Sequence, residues 1–182
     1  MRTKTTLKKT VNFLKNCKSI FSFPKKILQN IFSLLFCLIT GISFSQSASC
    51  NASLVVENNG NVRSTPLDGT YYTMVLTNNS PSTDTYSLTA ANVNTSCANT
   101  DGTSNTENVR INTAFMDSQK VPVSEITLNA GQSVVFYIHI TVPVGTSVEK
   151  WSCNQITATS KTCINYTADT VLHTYVINPV ND

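Results

Sequence analysis

Charge is scarce in this chain: only 13% of its 182 residues are Asp, Glu, Lys or Arg, and the first 45 contain no acidic residue. Those 45 hold eight of the thirteen basic residues, so the remainder carries five basic against ten acidic side chains, a formal net charge of −5. The whole-chain charge of +3 therefore belongs to the leading segment, and no basic patch remains afterwards for a nucleic-acid backbone. Histidine is limited to His139 and His173, both inside alternating, strand-like sequence and both read as solvent-side. With no Gly-x-Ser-x-Gly elbow or comparable motif, nothing points to a catalytic residue. Close cysteine pairs of the C-x-x-C kind are also missing, which removes the usual signature of a metal site. Apolar runs fall short of the roughly 20 residues that a membrane-spanning helix needs. The expectation is a non-enzyme without metal or cofactor.

What the leading segment does have is a basic stretch followed by fourteen mostly apolar residues, 31–44, IFSLLFCLITGISF. That order and length suit the helical core of a secretory signal, with Ser43 and Ser45 at −3 and −1 if cleavage falls before Gln46. The basic region is long for a signal, so a retained N-terminal anchor is the alternative. A lipoprotein site at Cys50 fits less well, because Ser47-Ala48-Ser49 lacks an aliphatic residue. Export makes residues 1–45 a signal peptide (or anchor) and 46–182 the folded domain, secreted or in the cell envelope, without membrane contact after cleavage. Cys17 and Cys37 leave with the signal, so Cys50, Cys97, Cys153 and Cys163 remain, an even number that favours two disulfides in an exported domain.

From Gln46 onward the chain is rich in Thr, Ser, Asn and Val, and strand patterns alternate with turn clusters. The clearest strand lies in residues 128–146, where Val134, Phe136, Ile138, Ile140 and Val142 take every second position. That period of two buries one face of a strand, and Pro143 and Gly145 end it. Shorter patterns run through Leu54, through Tyr72, Met74 and Leu76, and through Tyr86, Leu88 and Ala90. Others run through Val109, Ile111 and Phe115, through Ile126 and Leu128, and from Val171 to Ile177. In residues 151–159 Trp151, Cys153, Gln155 and Thr157 share one face and Ile156 and Ala158 the other. About eight strands with no repeat predict an all-β sandwich. The polar stretch 92–108 is too long to lie idle in a compact domain and must be tied down or functional.

Several of these segments resemble bacterial exported immunoglobulin-like repeats. Residues 72–80, YTMVLTNNS, are similar to their y-x-l-x-v-x-N-x-G strand, and residues 128–133, LNAGQS, to their L-x-P-G-x-S turn. Residues 142–146, VPVGT, are similar to the V-P-x-G-T strand end, and 156–160, ITATS, to the v-T-A-t-S strand. The families are the NPCBM-associated domain of α-galactosidases and the cell-adhesion-related domain found in bacteria. The likeness covers residues 70–177, departing at Ala130, where the family has proline, and at Ser80, where it usually has glycine. Phe44-Ser45-Gln46 resembles signal ends common in Bacteroidetes. Residues 175–182, YVINPVND, faintly resemble the start of that phylum's outer-membrane sorting domain, a match read as coincidence or a truncated frame.

The resemblance implies an immunoglobulin-like β-sandwich of seven to eight antiparallel strands. It also implies a non-catalytic structural or adhesive surface module with a protein or cell-surface partner. A carbohydrate-binding accessory module taking a glycan is the alternative. The immunoglobulin-like strand order further implies Cys50–Cys153 and Cys97–Cys163 among the three possible pairings. A Cys153–Cys163 bond is disfavoured, because about ten extended residues at roughly 3.3 Å each would separate the two.

Candidate ligand residues are Tyr137 and His139 on the outward face of the best strand, Tyr175, and Asp101 in the long loop. Tyr71, Tyr137 and Tyr175 would stack a sugar, though exposed strand tyrosines are also good β residues in their own right. Asn99, Asp101, Asn105 and Glu107 offer calcium oxygens without the spacing of a calcium loop. Trp151 reads as core. Asn51, Asn78, Asn94 and Asn165 begin Asn-x-Ser/Thr sequons. The loop is the preferred site.

Overall fold

Period-two burial marks the long strands of the domain. Nine strands form among the described residues of the computed structural model, which describes residues 49–180: β1 (Ala52–Val56), β2 (Val62–Thr65), β3 (Thr70–Asn78), β4 (Asp84–Asn92), β5 (Asn112–Met116), β6 (Glu125–Leu128), β7 (Ser133–Thr141), β8 (Lys150–Ser160) and β9 (Thr167–Val176). The expected signal helix, Cys17, Cys37 and the Asn181-Asp182 end of the sorting-domain resemblance lie outside the described residues. No helix among the described residues is long and apolar enough to cross a membrane.

Two sheets face each other, one in the order β1-β3-β7-β5 and the other β2-β9-β8-β4-β6. Immunoglobulin domains place strands A, B, E, D in one sheet and C, F, G in the other, and β1, β3, β7, β5 against β4, β8, β9 reproduce that division. After β4 the chain crosses to the first sheet as β5, returns to the edge of the second as β6, and crosses again as β7. Two details differ from the sequence expectation. There are nine strands rather than seven or eight, and β2 pairs in parallel with β9, so the sandwich is not wholly antiparallel. Sequence reading passes over β2 because Val62, Arg63 and Ser64 are all exposed and carry no alternation.

The central strand is where the sequence places it, with β7 flanked by β3 and β5. Phe136, Ile138 and Ile140 point inward against Tyr72, Met74 and Leu76 of β3, and from the other sheet Tyr86, Leu88, Ile156, Ala158, Leu172 and Val176 close the core. Full burial of such side chains contributes about 1.5–3 kcal/mol each. The Tyr72 hydroxyl crosses between the sheets, bonding the Thr174 hydroxyl (2.9 Å) and donating to the His173 carbonyl (3.0 Å). Burial pushes its pKa up to about 12. Entry into β3 is fixed by Gly69 at φ +103°, where a Cβ would lie 2.1 Å from the Ile140 carbonyl oxygen.

Two of the resembling motifs, residues 72–80 and 128–133, meet at one end of the sandwich. Asn78 closes β3, donating its backbone N–H to the Gln132 carbonyl and receiving the Gly131 N–H on its own. Its side chain is enclosed by Ser80, Ser82, Tyr86, Leu128 and Asn129. Ser80, the departure from glycine, is buried and uses its hydroxyl to bond both the N–H and the carbonyl of Asn51 (3.1 Å each).

All four cysteines among the described residues are paired, but the connectivity corrects the expectation of Cys50–Cys153 and Cys97–Cys163. Cys50 joins Cys163 and Cys97 joins Cys153, with Cα–Cα distances of 6.2 and 6.4 Å. The reason is strand direction. Antiparallel pairing with β4 sets Asn92 beside Asn154 and Tyr86 beside Ser160, so the start of β8 lies at the end of β4, near Cys97. Ala52 at the start of β1 pairs with Asn78 at the end of β3, the end from which β4 departs and at which β8 finishes. Cys50 therefore reaches Cys163 and not Cys153.

Asp84 holds that same end together. Burial by itself raises the carboxyl pKa, but hydrogen bonds from the Ser160 hydroxyl, from Thr162 and from the Thr85 N–H outweigh it and hold the pKa below the ordinary 3.8. A depressed folded pKa gives stability that is complete above the unfolded value and lost as pH falls through the folded one. Asp84→Asn is thus expected to cost about 1–3 kcal/mol at neutral pH. Urea midpoints of the two proteins should converge below pH 3.8, and parallel midpoints down to pH 2 would contradict this account.

Candidate functional site

Residues 93–111 leave the end of β4, and both ends of the excursion are fastened to β8. The Val93 N–H donates to the Cys153 carbonyl (3.0 Å), and sixteen residues later the Val109 N–H donates to the Trp151 carbonyl (2.8 Å). Asn94 spans the gap, accepting the Cys153 N–H on its side-chain oxygen and donating from Nδ2 to the Val109 carbonyl, both at 2.8 Å. Ends this close make a closed surface loop of the kind that packs on its own side chains. Within it, Asn99 and Asn108 exchange reciprocal amide hydrogen bonds of 2.8 Å, and Asn105 Nδ2 donates to the Cys97 carbonyl at 3.0 Å. The Cys97–Cys153 bond pins the loop onto the outer face of β8, which is why outward-pointing Cys153 is wholly buried. The stretch is tied down, as its length required.

Under the loop lies a cleft of about 290 Å³, walled by Trp151, Tyr175, Asp101, Glu107, Lys150 and Asn99 among others. Trp151 and Tyr175 are register partners on β8 and β9, their rings tilted at 56° with centroids 5.1 Å apart. The indole N–H donates to Asp101 Oδ2 at 2.8 Å, while Asp101 Oδ1 accepts both the hydroxyl and the backbone N–H of Thr103. These bonds, the Thr103 hydroxyl first and the indole second, hold the Asp101 carboxyl below its ordinary pKa. Glu107 is held low by the hydrogen bond from Lys150 and by that ammonium charge. The cleft thus combines a locked aromatic wall with two ionised carboxylates and an ammonium group, an arrangement suited to a polar ligand with one flat apolar face.

The four predicted ligand residues divide between two surfaces. Asp101 and Tyr175 come together in the cleft. Tyr137 and His139 lie on the outer face of the other sheet, where His139 stacks on Tyr71 (4.3 Å, 10°), Tyr137 meets that ring edge-on (6.4 Å), and Lys120 Nζ lies 4.4 Å from its centre. Tyr71 is therefore occupied on both sides and offers no bare platform. The residue that sequence reading misplaced is Trp151. It is half-exposed in the cleft rather than in the core. The signal was present, since it alternates with Gln155 and Thr157 while Ile156 and Ala158 take the inward face. Lys150 left no signal, and Glu107, named only among possible calcium oxygens, meets it because the loop brings the two together.

A third grouping went unread because its members are far apart in sequence. Cys97, Cys153 and His173 place their sulfur and nitrogen atoms within 4.8 Å of one another. Burial holds the His173 pKa below its ordinary value.

No family model matches the chain, and no curated protein matches it significantly. Solved structures with a similar strand layout include a family 123 glycoside hydrolase from Clostridium perfringens, at TM-score 0.47 and 12% identity over 71% of this chain. A FixG-related protein from Vibrio parahaemolyticus matches at TM-score 0.44 and 10% identity, covering 70% of this chain and 95% of that one. The E. coli chaperone DraB matches at TM-score 0.38 and 10% identity, covering 73% and 57%. The chain spans only 28% of the hydrolase's length. At such identities and TM-scores, none of the three bears on function.

Proposed function

We propose that the chain is an exported adhesive module, a non-catalytic sandwich that binds a partner on the bacterial surface or in the surrounding medium. The observation that carries this reading is the cleft itself, where a tryptophan on a rigid strand is locked by Asp101 under a loop fastened at both ends and stapled across. Pre-organisation of this kind lowers the ordering cost of binding. Two disulfides suit an oxidising compartment, and the basic, apolar leader fits export to the cell envelope or beyond. The Trp151–Tyr175 wall, rimmed by carboxylates and amides, favours a second reading, a carbohydrate-binding accessory module in which a sugar ring stacks on the aromatic pair.

Trp151 is the only tryptophan in the chain, so its fluorescence reports the cleft directly. Adhesion of the labelled domain to bacterial surfaces is expected to fall at least tenfold in Trp151→Ala and Asp101→Ala and to be unchanged in Tyr137→Ala. Loss in Tyr137→Ala alone would move the site to the other sheet. A glycan array separates the two readings: saturable sugar binding with a shift in Trp151 emission supports the second. Because both cleft carboxyls are held below their ordinary values of 3.8 and 4.5, binding should be flat from neutral pH down to those values and fall only in stronger acid.

A further inference from the structure

We propose that Cys97, Cys153 and His173 form a thiophilic metal site, for Zn²⁺ or Cu⁺, which the two thiols and the imidazole occupy as an alternative to the Cys97–Cys153 disulfide. Cys153 and His173 are register partners on β8 and β9, so their side chains leave the same face of the sheet side by side. Cys97 is delivered onto that face by the loop. In a tetrahedral site with Zn–S about 2.3 Å and Zn–N about 2.0–2.1 Å, a sulfur and a nitrogen ligand stand about 3.6 Å apart and two sulfurs about 3.8 Å. The observed Cys153 Sγ to His173 Nδ1 distance is 3.6 Å. One edge of the tetrahedron is already built, the Cys97 sulfur lies within 4.8 Å of the imidazole nitrogen, and the two sulfurs need to separate.

The surroundings suit a metal thiolate. Asn108 Nδ2 lies 3.9 Å from each sulfur, so one amide addresses both ligands, as partners outside the coordination shell do in metal sites. Its other hydrogen bonds, to and from Asn99, hold it there. Two thiolates with one imidazole select a soft or borderline ion rather than calcium or magnesium. Three protein ligands leave a fourth position for water in the zinc form.

The balance is simple. Cysteine is synthesised as the thiol; binding the ion releases one proton from each of the two thiols and needs no electrons. Oxidising the metal-bound dithiolate to the disulfide passes two electrons to a disulfide oxidant, which takes up two protons from solution as it becomes its dithiol, and expels the ion; from the ion-free dithiol the same step also releases the two thiol protons. Returning to the metal form requires a dithiol or phosphine reductant to supply those two electrons. Whichever occupant is present, residues 93–111 stay fastened to β8, so the ion would hold the cleft in shape before oxidation.

The test is titration of the phosphine-reduced, anaerobic full-length protein with Zn²⁺, with Cu⁺, and with Co²⁺ as a spectroscopic substitute for zinc. One equivalent of Co²⁺ is expected to give tetrahedral d–d bands and a sulfur-to-cobalt charge-transfer band, displaced by zinc, and zinc should raise the melting temperature of the reduced protein. Cys97→Ser/Cys153→Ser should abolish the signal although the four other cysteines, Cys17, Cys37, Cys50 and Cys163, remain, and His173→Gln should weaken binding at least tenfold. Cobalt binding that survives in Cys97→Ser/Cys153→Ser, equal affinity in His173→Gln, or a reduced chain that gains no thermal stability from any of the ions would overturn the proposal. Charge-transfer absorption with copper alone would assign the site to Cu⁺, and with both ions to either.

Discussion

Asn78→Leu is expected to destabilise the sandwich by roughly 3–5 kcal/mol, because it strips partners from several buried polar groups at once. Nδ2 donates to the carbonyls of Ser82 (2.8 Å), Leu128 (3.1 Å) and Asn129 (3.2 Å), and Oδ1 accepts the Ser80 N–H (3.0 Å) and the Tyr86 hydroxyl (3.1 Å). The residue is wholly buried, so water cannot replace what leucine removes. Leucine has the same branching and the same number of side-chain heavy atoms as asparagine, so the substitution leaves no cavity to account for the loss. Asn78→Asp sharpens the test. A carboxylate would turn its charge toward three carbonyl oxygens, and burial would raise its pKa, so this variant should regain stability as pH falls toward 4 while Asn78→Leu does not. Urea midpoints between pH 4 and 8 distinguish the two. A cost below about 1 kcal/mol for Asn78→Leu would mean that the amide is not the clasp described here.

The same residue shows what was legible in the sequence. Asn78 and the 128–133 turn were recognisable as motifs from their resemblance to exported repeats, yet neither segment alone explains why an asparagine is needed. The explanation is a contact between residues fifty positions apart. Strands that bury one face announced themselves, β3 and β7 above all, because period-two alternation is a local consequence of the pleat. β2 did not, since its ladder lies on an exposed edge and burial gives it no pattern. Strand direction is likewise absent from any local window. An error in strand direction is by itself enough to exchange cysteine partners, since β8 runs antiparallel to β4.

The candidate site divides along the same line. Asp101 and Tyr175 were nameable as polar and aromatic groups in plausible places, but they form a site only because Asp101 receives the indole N–H of a residue fifty positions away. Reading Trp151 as core because a cysteine lies close by runs against the alternation of its own strand, and the alternation gives the face. Where local periodicity and residue type disagree in a half-buried strand, geometry decides the face and the loop above decides the burial. Cys153 is the converse case, outward by alternation and buried because a loop covers it.

Removing the Cys50–Cys163 bond is expected to have the other large effect, a loss of about 3–5 kcal/mol and, for a domain of this size, a melting temperature lower by roughly 10–20 °C. The bond closes a loop of 113 residues, which takes in nearly the whole sandwich, and ties the chain just before β1 to the β8–β9 connection. Chain entropy alone would not rank the two staples far apart. Cys97–Cys153 closes 56 residues, and a twofold difference in length changes the loop-closure term by only about 0.6 kcal/mol. Position separates them. Without Cys97–Cys153, residues 93–111 keep the Val93, Asn94 and Val109 bonds to their own neighbourhood. Without Cys50–Cys163, the edge strand β1 retains its β3 ladder, the Ser80 clasp on Asn51 and the Tyr166 hydroxyl on the Ala52 N–H. Those contacts lie at one frayed end, and β1 would open from Ala52 inward. Cys50→Ser/Cys163→Ser is therefore expected to melt earlier and to lose hydrogen-exchange protection first in β1 and the facing part of β9. Cys97→Ser/Cys153→Ser should lose it in the loop and at Cys153. If the first variant melts within about 3 °C of the parent protein, the β1 edge is held by its ladder alone and the staple stabilises little.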